Sequence, residues 1–182
     1  MNIQHHNRFN VVGTSGCGKT TFARLLAAAL QLQCIELDQV YWKANWTAPS
    51  DEELFSKLAS ALSAESWVLD GNYKRTTPIK WSRSVCVIWL DYSFPRVLRQ
   101  AIRRALRRAW TKEEMWPGTN NRESFKNLFF SKDSIVLWTL KTFHSNRRKY
   151  KAMMTSESYQ HVEFIRLRNP READELIASL SD

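Results

Sequence analysis

Short apolar runs alternate along the chain with longer stretches whose apolar residues recur at helical spacing. Phe9–Val12 predicts a first strand running into a glycine-rich turn. Lys19–Leu30 predicts a helix with Phe22, Ala23, Leu25, Leu26 and Ala29 on its apolar side. Cys34–Leu37 predicts a second strand ending at Asp38. Ser50 and Glu53 have capping-box spacing, and Leu54, Leu58, Ala61 and Leu62 follow at helical period. Trp67–Leu69 predicts a third strand ending in Asp70-Gly71-Asn72, and the unbroken apolar run Val85–Leu90 predicts a fourth, buried on both faces. Ser93 and Pro95 open a helix to about Trp110. Trp116-Pro117-Gly118, with Asn120 and Asn121, interrupts the pattern before helical spacing resumes from about Glu123 to Lys151. Val162–Leu167 predicts the last strand, and Asn169-Pro170-Arg171-Glu172 supplies an N-cap, a proline and an acidic first turn for a final helix to Leu180.

Strands alternating with helices predict one α/β domain over residues 1–182, a parallel sheet between two helical layers. The irregular stretch at about 110–122 lies between two helices after the fourth strand, where a lid or substrate loop belongs.

Within this frame one motif carries chemistry. Gly13-Thr14-Ser15-Gly16-Cys17-Gly18-Lys19-Thr20 matches G-x-x-x-x-G-K-[ST] after a strand and before a helix. Glycines let the backbone curl until successive N–H groups point at phosphate oxygens, and the following helix adds its positive N-terminal end. Lys19 then reaches the β- and γ-phosphates, and the Thr20 hydroxyl ligates Mg²⁺. The expected ATP-binding set is Gly13, Thr14, Ser15, Gly16, Cys17, Gly18, Lys19, Thr20 and Thr21. Cys17 occupies a variable position and is not expected to act as a nucleophile.

Such a loop needs an acid on the magnesium side, and three aspartates end strands: Asp38, Asp70 and Asp91. Asp70, followed by Gly71, is the preferred metal-side acid, so the metal set is Thr20 and Asp70. Asp38 is a candidate acceptor contact or base, with turn-capping as its alternative. Asp91, followed by Ser93 and Pro95, fits a helix cap at least as well as a functional role.

Composition sharpens this picture. Five glycines among 182 residues is sparse, yet three fall at 13, 16 and 18. The net charge of +9 is concentrated: residues 92–151 hold 15 basic and 4 acidic groups. Arg99, Arg103 and Arg107 form one i,i+4 row and Arg104 with Arg108 another, opposite an apolar face of Val97, Leu98, Ala101, Ile102, Ala105, Leu106 and Ala109. Unrelieved guanidinium rows repel by a few tenths of a kcal/mol per pair, so an anionic partner is expected. No apolar run approaches the roughly 20 residues of a membrane span, and residues 1–10 lack a signal-peptide core. Three cysteines without ligand spacing suggest neither a disulfide framework nor a zinc site, and a cytoplasmic setting is expected. His5, His6, His144 and His161 read as unclustered. Phe129, Val136, Leu137, Leu140 and Phe143 read as core at helical period.

The P-loop, Leu37-Asp38 with Tyr41-Trp42, and Trp67 to Tyr73 together resemble the adenylate-kinase-like P-loop proteins of the FlaR or topology modulation type. The paired arginines, the lid-like break and Arg147-Arg148 before Tyr150 extend the likeness over about residues 8–180. The resemblance implies a nucleoside-monophosphate-kinase fold with strand order 2-3-1-4-5, which places the third strand beside the P-loop strand. It also implies that Arg104 and Arg108 approach the phosphates, that Arg122 leaves the lid, and that Arg147 and Arg148 return toward the site. Adenylate kinases continue Asp-Gly with Phe-Pro-Arg, whereas this chain continues Asn72-Tyr73-Lys74-Arg75.

The expected function is therefore ATP-Mg²⁺-dependent phosphotransfer to a small acceptor, with nucleotides among the candidates, seated over about 38–64. Lys19, Asp38, Arg104, Arg108, Arg122 and Arg148 are its candidate catalytic residues. The alternatives are an ATP-responsive, DNA-associated regulatory protein and a slow ATPase without an acceptor.

Overall fold

The computed structural model describes residues 3–111, 114, 116, 119, 121 and 135–180. Five strands, β1 (Arg8–Gly13), β2 (Cys34–Glu36), β3 (Trp67–Asp70), β4 (Cys86–Leu90) and β5 (Glu163–Leu167), form one sheet of order β2-β3-β1-β4-β5. Every pairing is parallel, with Val11 opposite both Asp70 and Ile88. The sheet order is the one implied by the sequence resemblance. β3 and β4 are buried throughout, as strands with helices on both faces must be.

Helices α1 (Lys19–Ala29), α3 (Asp51–Ala61), α5 (Phe94–Thr111), α6 (Ile135–Met154) and α7 (Pro170–Ala178) cover the sheet, with two five-residue helices, α2 (Leu37–Tyr41) and α4 (Thr77–Trp81), between strands and longer helices. Both anticipated caps form: Ser50 Oγ accepts from the Glu53 N–H at 3.2 Å, and Asn169 Oδ1 accepts from the Glu172 N–H at 3.1 Å. One core packs Phe9, Val11, Ile88 and Ile165 against Phe22, Leu26, Val97, Phe143 and Leu176. A second gathers Val12, Trp81, Val87, Trp89 and Tyr150, and a third gathers Ile35, Leu37, Leu58, Leu62, Trp67 and Leu69.

Several sequence expectations need correction. β2 stops at Glu36, and Leu37 and Asp38 belong to α2, because Gly71 lies against Leu37 and the chain turns there. α4 carries only five residues, too short a stretch for periodicity to reveal. Along α5 the buried stripe is Val97, Ala101, Ala105 and Ala109, whereas Leu106 is exposed. Of the residues read as core in α6, Phe143 is buried while Leu137 and Leu140 are exposed. Residues 122–130 and the rest of the Glu123–Lys151 expectation before Ile135 lie outside the described residues, as does most of the lid stretch.

Candidate active site

The loop from Gly13 to Gly18 leaves the C-terminal end of β1 and delivers the chain into the first turn of α1. Gly16 sits at φ +86°, and a Cβ there would lie 2.8 Å from the Ala101 Cβ. The loop therefore rests directly on α5, and two minimal side chains make that approach possible. Cys17 is buried against the loop, and burial pushes its thiol pKa up, so it fills space as a neutral thiol. Lys19 Nζ donates to the Thr14 carbonyl at 3.4 Å, a long bond that leaves the ammonium folded over the loop. Gly18 and Thr21 are exposed, and Ser15, Lys19 and Thr20 are half-buried.

The three strand-end aspartates have three different environments. Asp70 is 7% exposed, and its Oδ2 accepts from the Thr20 hydroxyl at 2.5 Å. Its Oδ1 is buried with no hydrogen-bond partner among the described residues. Burial raises the Asp70 pKa, Lys19 and the Thr20 hydroxyl pull it back, and Asp38 and Glu36 push it up again. A hydroxyl beside a carboxylate with one unsatisfied oxygen is the hard-oxygen donor set that suits Mg²⁺. Asp38 is exposed in the first turn of α2 and lies beside Tyr73, whose hydroxyl is raised in pKa by burial and by the Asp38 charge. Asp91 is 5% exposed and ion-paired. Its buried carboxylate joins Arg147 of α6, at 3.0 Å, to Arg166 of β5, at 2.5 Å.

Two asparagines that the sequence does not single out tie the strand ends together. The Gly13 N–H donates to Asn72 Oδ1 at 3.1 Å, and Asn72 Nδ2 donates back to the Gly13 carbonyl. The Asn72 amide thus stands in for a strand partner just where β1 becomes the P-loop, and the buried Tyr150 hydroxyl donates to the same Oδ1 at 3.1 Å. Asn10 Nδ2 donates to the carbonyls of Leu69 (3.0 Å) and Gly71 (3.2 Å), while its Oδ1 accepts from Trp81 Nε1 at 2.8 Å. Lys80, 1% exposed, donates to the Gly71 carbonyl at 3.0 Å. Burial, with Lys149 adding to it, pulls its pKa down to about 7.

The arginine rows separate cleanly. Arg99, Arg103 and Arg107 are exposed, whereas Arg104 and Arg108 are half-buried. Arg104 Nη2 lies 3.3 Å from the Ser15 hydroxyl at the tip of the loop, and Thr139 of α6 donates to the Ser15 carbonyl at 3.3 Å. Arg147 is held by Asp91, and Arg148 beside it is exposed. Arg122 lies outside the described residues. The histidines depart from expectation: the His5 and His6 rings lie 4.0 Å apart, tilted by 50°, and His6 Nε2 lies 2.6 Å from Glu163. This trio sits at the N-terminal end of β5, away from the P-loop end of the sheet.

No protein-family model matches the chain, and no curated protein matches it. Among solved structures it is similar to a shikimate kinase from Acinetobacter baumannii in complex with shikimate, at 14% identity and a TM-score of 0.57 over 97% of this chain and 92% of that one. It is also similar to a gluconokinase from Sinorhizobium meliloti, at 16% identity and a TM-score of 0.52 over 96% and 93%. These likenesses show the fold, a five-stranded parallel sheet of order 2-3-1-4-5 with flanking helices and a P-loop at its centre.

Proposed function

We propose that the chain is a P-loop kinase that transfers the γ-phosphoryl group of ATP to a small acceptor. The observation that carries this reading is the Thr20–Asp70 pair at the P-loop, with the Asp70 Oδ1 left buried and unsatisfied. An isolated buried carboxylate is costly, and a divalent cation is the natural partner for it. Thr20 and Asp70 would hold Mg²⁺, which when bound offsets phosphate charge and orients the nucleotide.

The protein's own groups perform the rest. The loop N–H groups and the start of α1 cradle the phosphates. Lys19 exchanges its long bond to Thr14 for the β- and γ-phosphate oxygens, and Arg104, already at Ser15, stabilises the charge spread over the transferring group. Asp38 accepts the proton as the acceptor hydroxyl oxygen bonds to the γ-phosphorus. The bond from that phosphorus to the β–γ bridging oxygen breaks, and ADP departs with the electron pair. Arg108, Arg122 and Arg148 are further candidates for the same charge. The solved structures named above are kinases of small hydroxy compounds, which supports the reaction class. The resemblance to the topology modulation type belongs to this reading, as does a cytoplasmic setting. No helix among the described residues is long and apolar enough to cross a membrane.

ADP formation from ATP-Mg²⁺ with and without nucleoside monophosphates, nucleosides and small hydroxy compounds tests the proposal. An acceptor-dependent rise supports it, and a flat panel with slow background hydrolysis favours an ATPase. One observation favours a nucleic-acid role instead: Arg99, Arg103 and Arg107 line an exposed face of α5 that ends in Trp110, 82% exposed. That reading requires salt-sensitive DNA binding whose log–log slope falls when these arginines are replaced.

A further inference from the structure

A row of aromatic side chains starts at Tyr73, which interacts with Asp38. Tyr73 and Tyr41 lie 4.4 Å apart, Tyr41 and Trp42 4.7 Å, Trp42 and Trp46 5.4 Å, and Trp46 and Trp116 6.0 Å. The row begins three residues beyond Asp70 and ends at Trp116, in the interruption between α5 and α6. Trp116 is buried at 7% exposed and anchors the row, whereas Tyr41, Trp42 and Tyr73 are half-buried and Trp46 is 38% exposed.

The placement of Trp46 is enforced. Asn45 and Trp46 both sit at φ +56°, in the left-handed region that side-chain-bearing residues avoid. Their holder is Asn121, fully buried, whose Oδ1 accepts from the Trp46 N–H at 2.6 Å and whose Nδ2 donates to the Lys43 carbonyl at 3.0 Å. The Asn45 N–H donates to the Thr119 carbonyl at 3.0 Å. Thr119 and Asn121 thus clasp the 43–46 turn, and Trp46 lies between Trp42 and Trp116. Cations along the row already have partners: Lys43 pairs with Glu53 and Arg75 with Asp51, and Arg75 also lies over the Tyr41 ring at 5.1 Å.

Half-open aromatic faces next to a carboxylate match a ligand with a flat or C–H-rich ring and a hydroxyl. We propose that this row seats the phosphoryl acceptor and that the acceptor is a ring-bearing alcohol, held by Tyr41, Trp42 and Trp46 with its hydroxyl toward Asp38. The proposal rests on the phosphotransferase reading. Asn121 is a positioning residue that acts through Trp46.

Saturation-transfer NMR and isothermal titration in the presence of ADP-Mg²⁺ test it with three sets of probes. These are nucleosides (adenosine, cytidine), cyclic polyols (glucose, myo-inositol, shikimate) and open-chain hydroxy compounds (glycerol, gluconate, serine). A ring compound should bind, and the first two sets separate a nucleoside from a carbohydrate or carbocycle. Trp46→Ala should weaken its Kd by about three- to tenfold, with recovery in Trp46→Phe. Asn121→Ala should weaken the same ligand while the Kd for ADP-Mg²⁺ holds. Binding of open-chain compounds alone, binding of none, or ring binding indifferent to Trp46→Ala overturns the proposal. Ring binding lost in Trp46→Ala without acceptor-dependent ADP formation would sink the kinase reading and leave the seat standing. Acceptor-dependent ADP formation with an open-chain compound, indifferent to Trp46, would do the reverse.

Discussion

Lys80→Met offers the sharpest test of how the strand end under Asp70 is built. Lys80 is 1% exposed and, among the described residues, donates to the Gly71 carbonyl and has no carboxylate in ion-pair contact. Burial brings its pKa down from 10.5 to about 7, with Lys149 and Lys19 lowering it further and Asp70 opposing. Between those two values the unfolded chain holds a proton that the folded chain has lost. Stability must therefore rise with pH across the window, at up to about 1.4 kcal/mol per pH unit. From pH 7 to 9 the gain from this one group is about 2 kcal/mol, fully developed only as pH approaches the unfolded value. Methionine keeps the length and removes the titration. Urea unfolding at pH 7, 8 and 9 should show the wild-type protein gaining that increment relative to Lys80→Met. Parallel pH dependences in the two proteins would refute the assignment of a displaced proton to Lys80.

Three further outcomes follow from the site. Asp70→Asn should raise the Mg²⁺ concentration that half-saturates ADP formation by roughly ten- to a hundredfold, read from magnesium titrations. Because burial raises the Asp70 pKa, the same variant should be no less stable than wild type at pH 7 in urea melts. Gly16→Ala should destabilise by about 1–3 kcal/mol, since its Cβ would lie 2.8 Å from Ala101 Cβ at φ +86°. A double-mutant cycle with Ala101→Gly should recover part of this cost, because the Ala101 Cα would still lie 3.0 Å from the added Cβ. Cys17→Ser should leave ADP formation largely intact, and native Cys17 should resist alkylation, because burial keeps it a neutral thiol.

The strands and the P-loop were legible because both have local signatures, an unbroken apolar run and a fixed glycine spacing, whereas the sheet order followed only from the resemblance that these motifs carry. Val85–Leu90 and Ser50/Glu53 show how far such signals reach. What escaped lies where tertiary contact overrides local pattern. Leu37 continues an apolar strand in sequence, yet the approach of Gly71 turns the chain into α2 and carries Asp38 off the strand end. Asp91 looks like a helix cap beside Ser93 and Pro95, but arginines from α6 and β5, distant in sequence, claim its carboxylate. Asn10, Asn72 and Lys80 have partners 59, 59 and 9 residues away. No spacing rule finds them. The division of the arginine rows is also a packing result: Ala101 and Ala105 face the core, which turns Arg104 toward Ser15 and leaves Arg103 and Arg107 in solvent.

The most direct test of the central claim is ³¹P NMR of ATP-Mg²⁺ incubated with the protein and the acceptor panel, run beside Lys19→Ala. Phosphotransfer predicts that the γ-phosphate resonance disappears as ADP and a new phosphoester resonance appear together, with an acceptor present and Lys19 intact. Inorganic phosphate as the only product for every acceptor, or equal turnover by Lys19→Ala, would contradict the account.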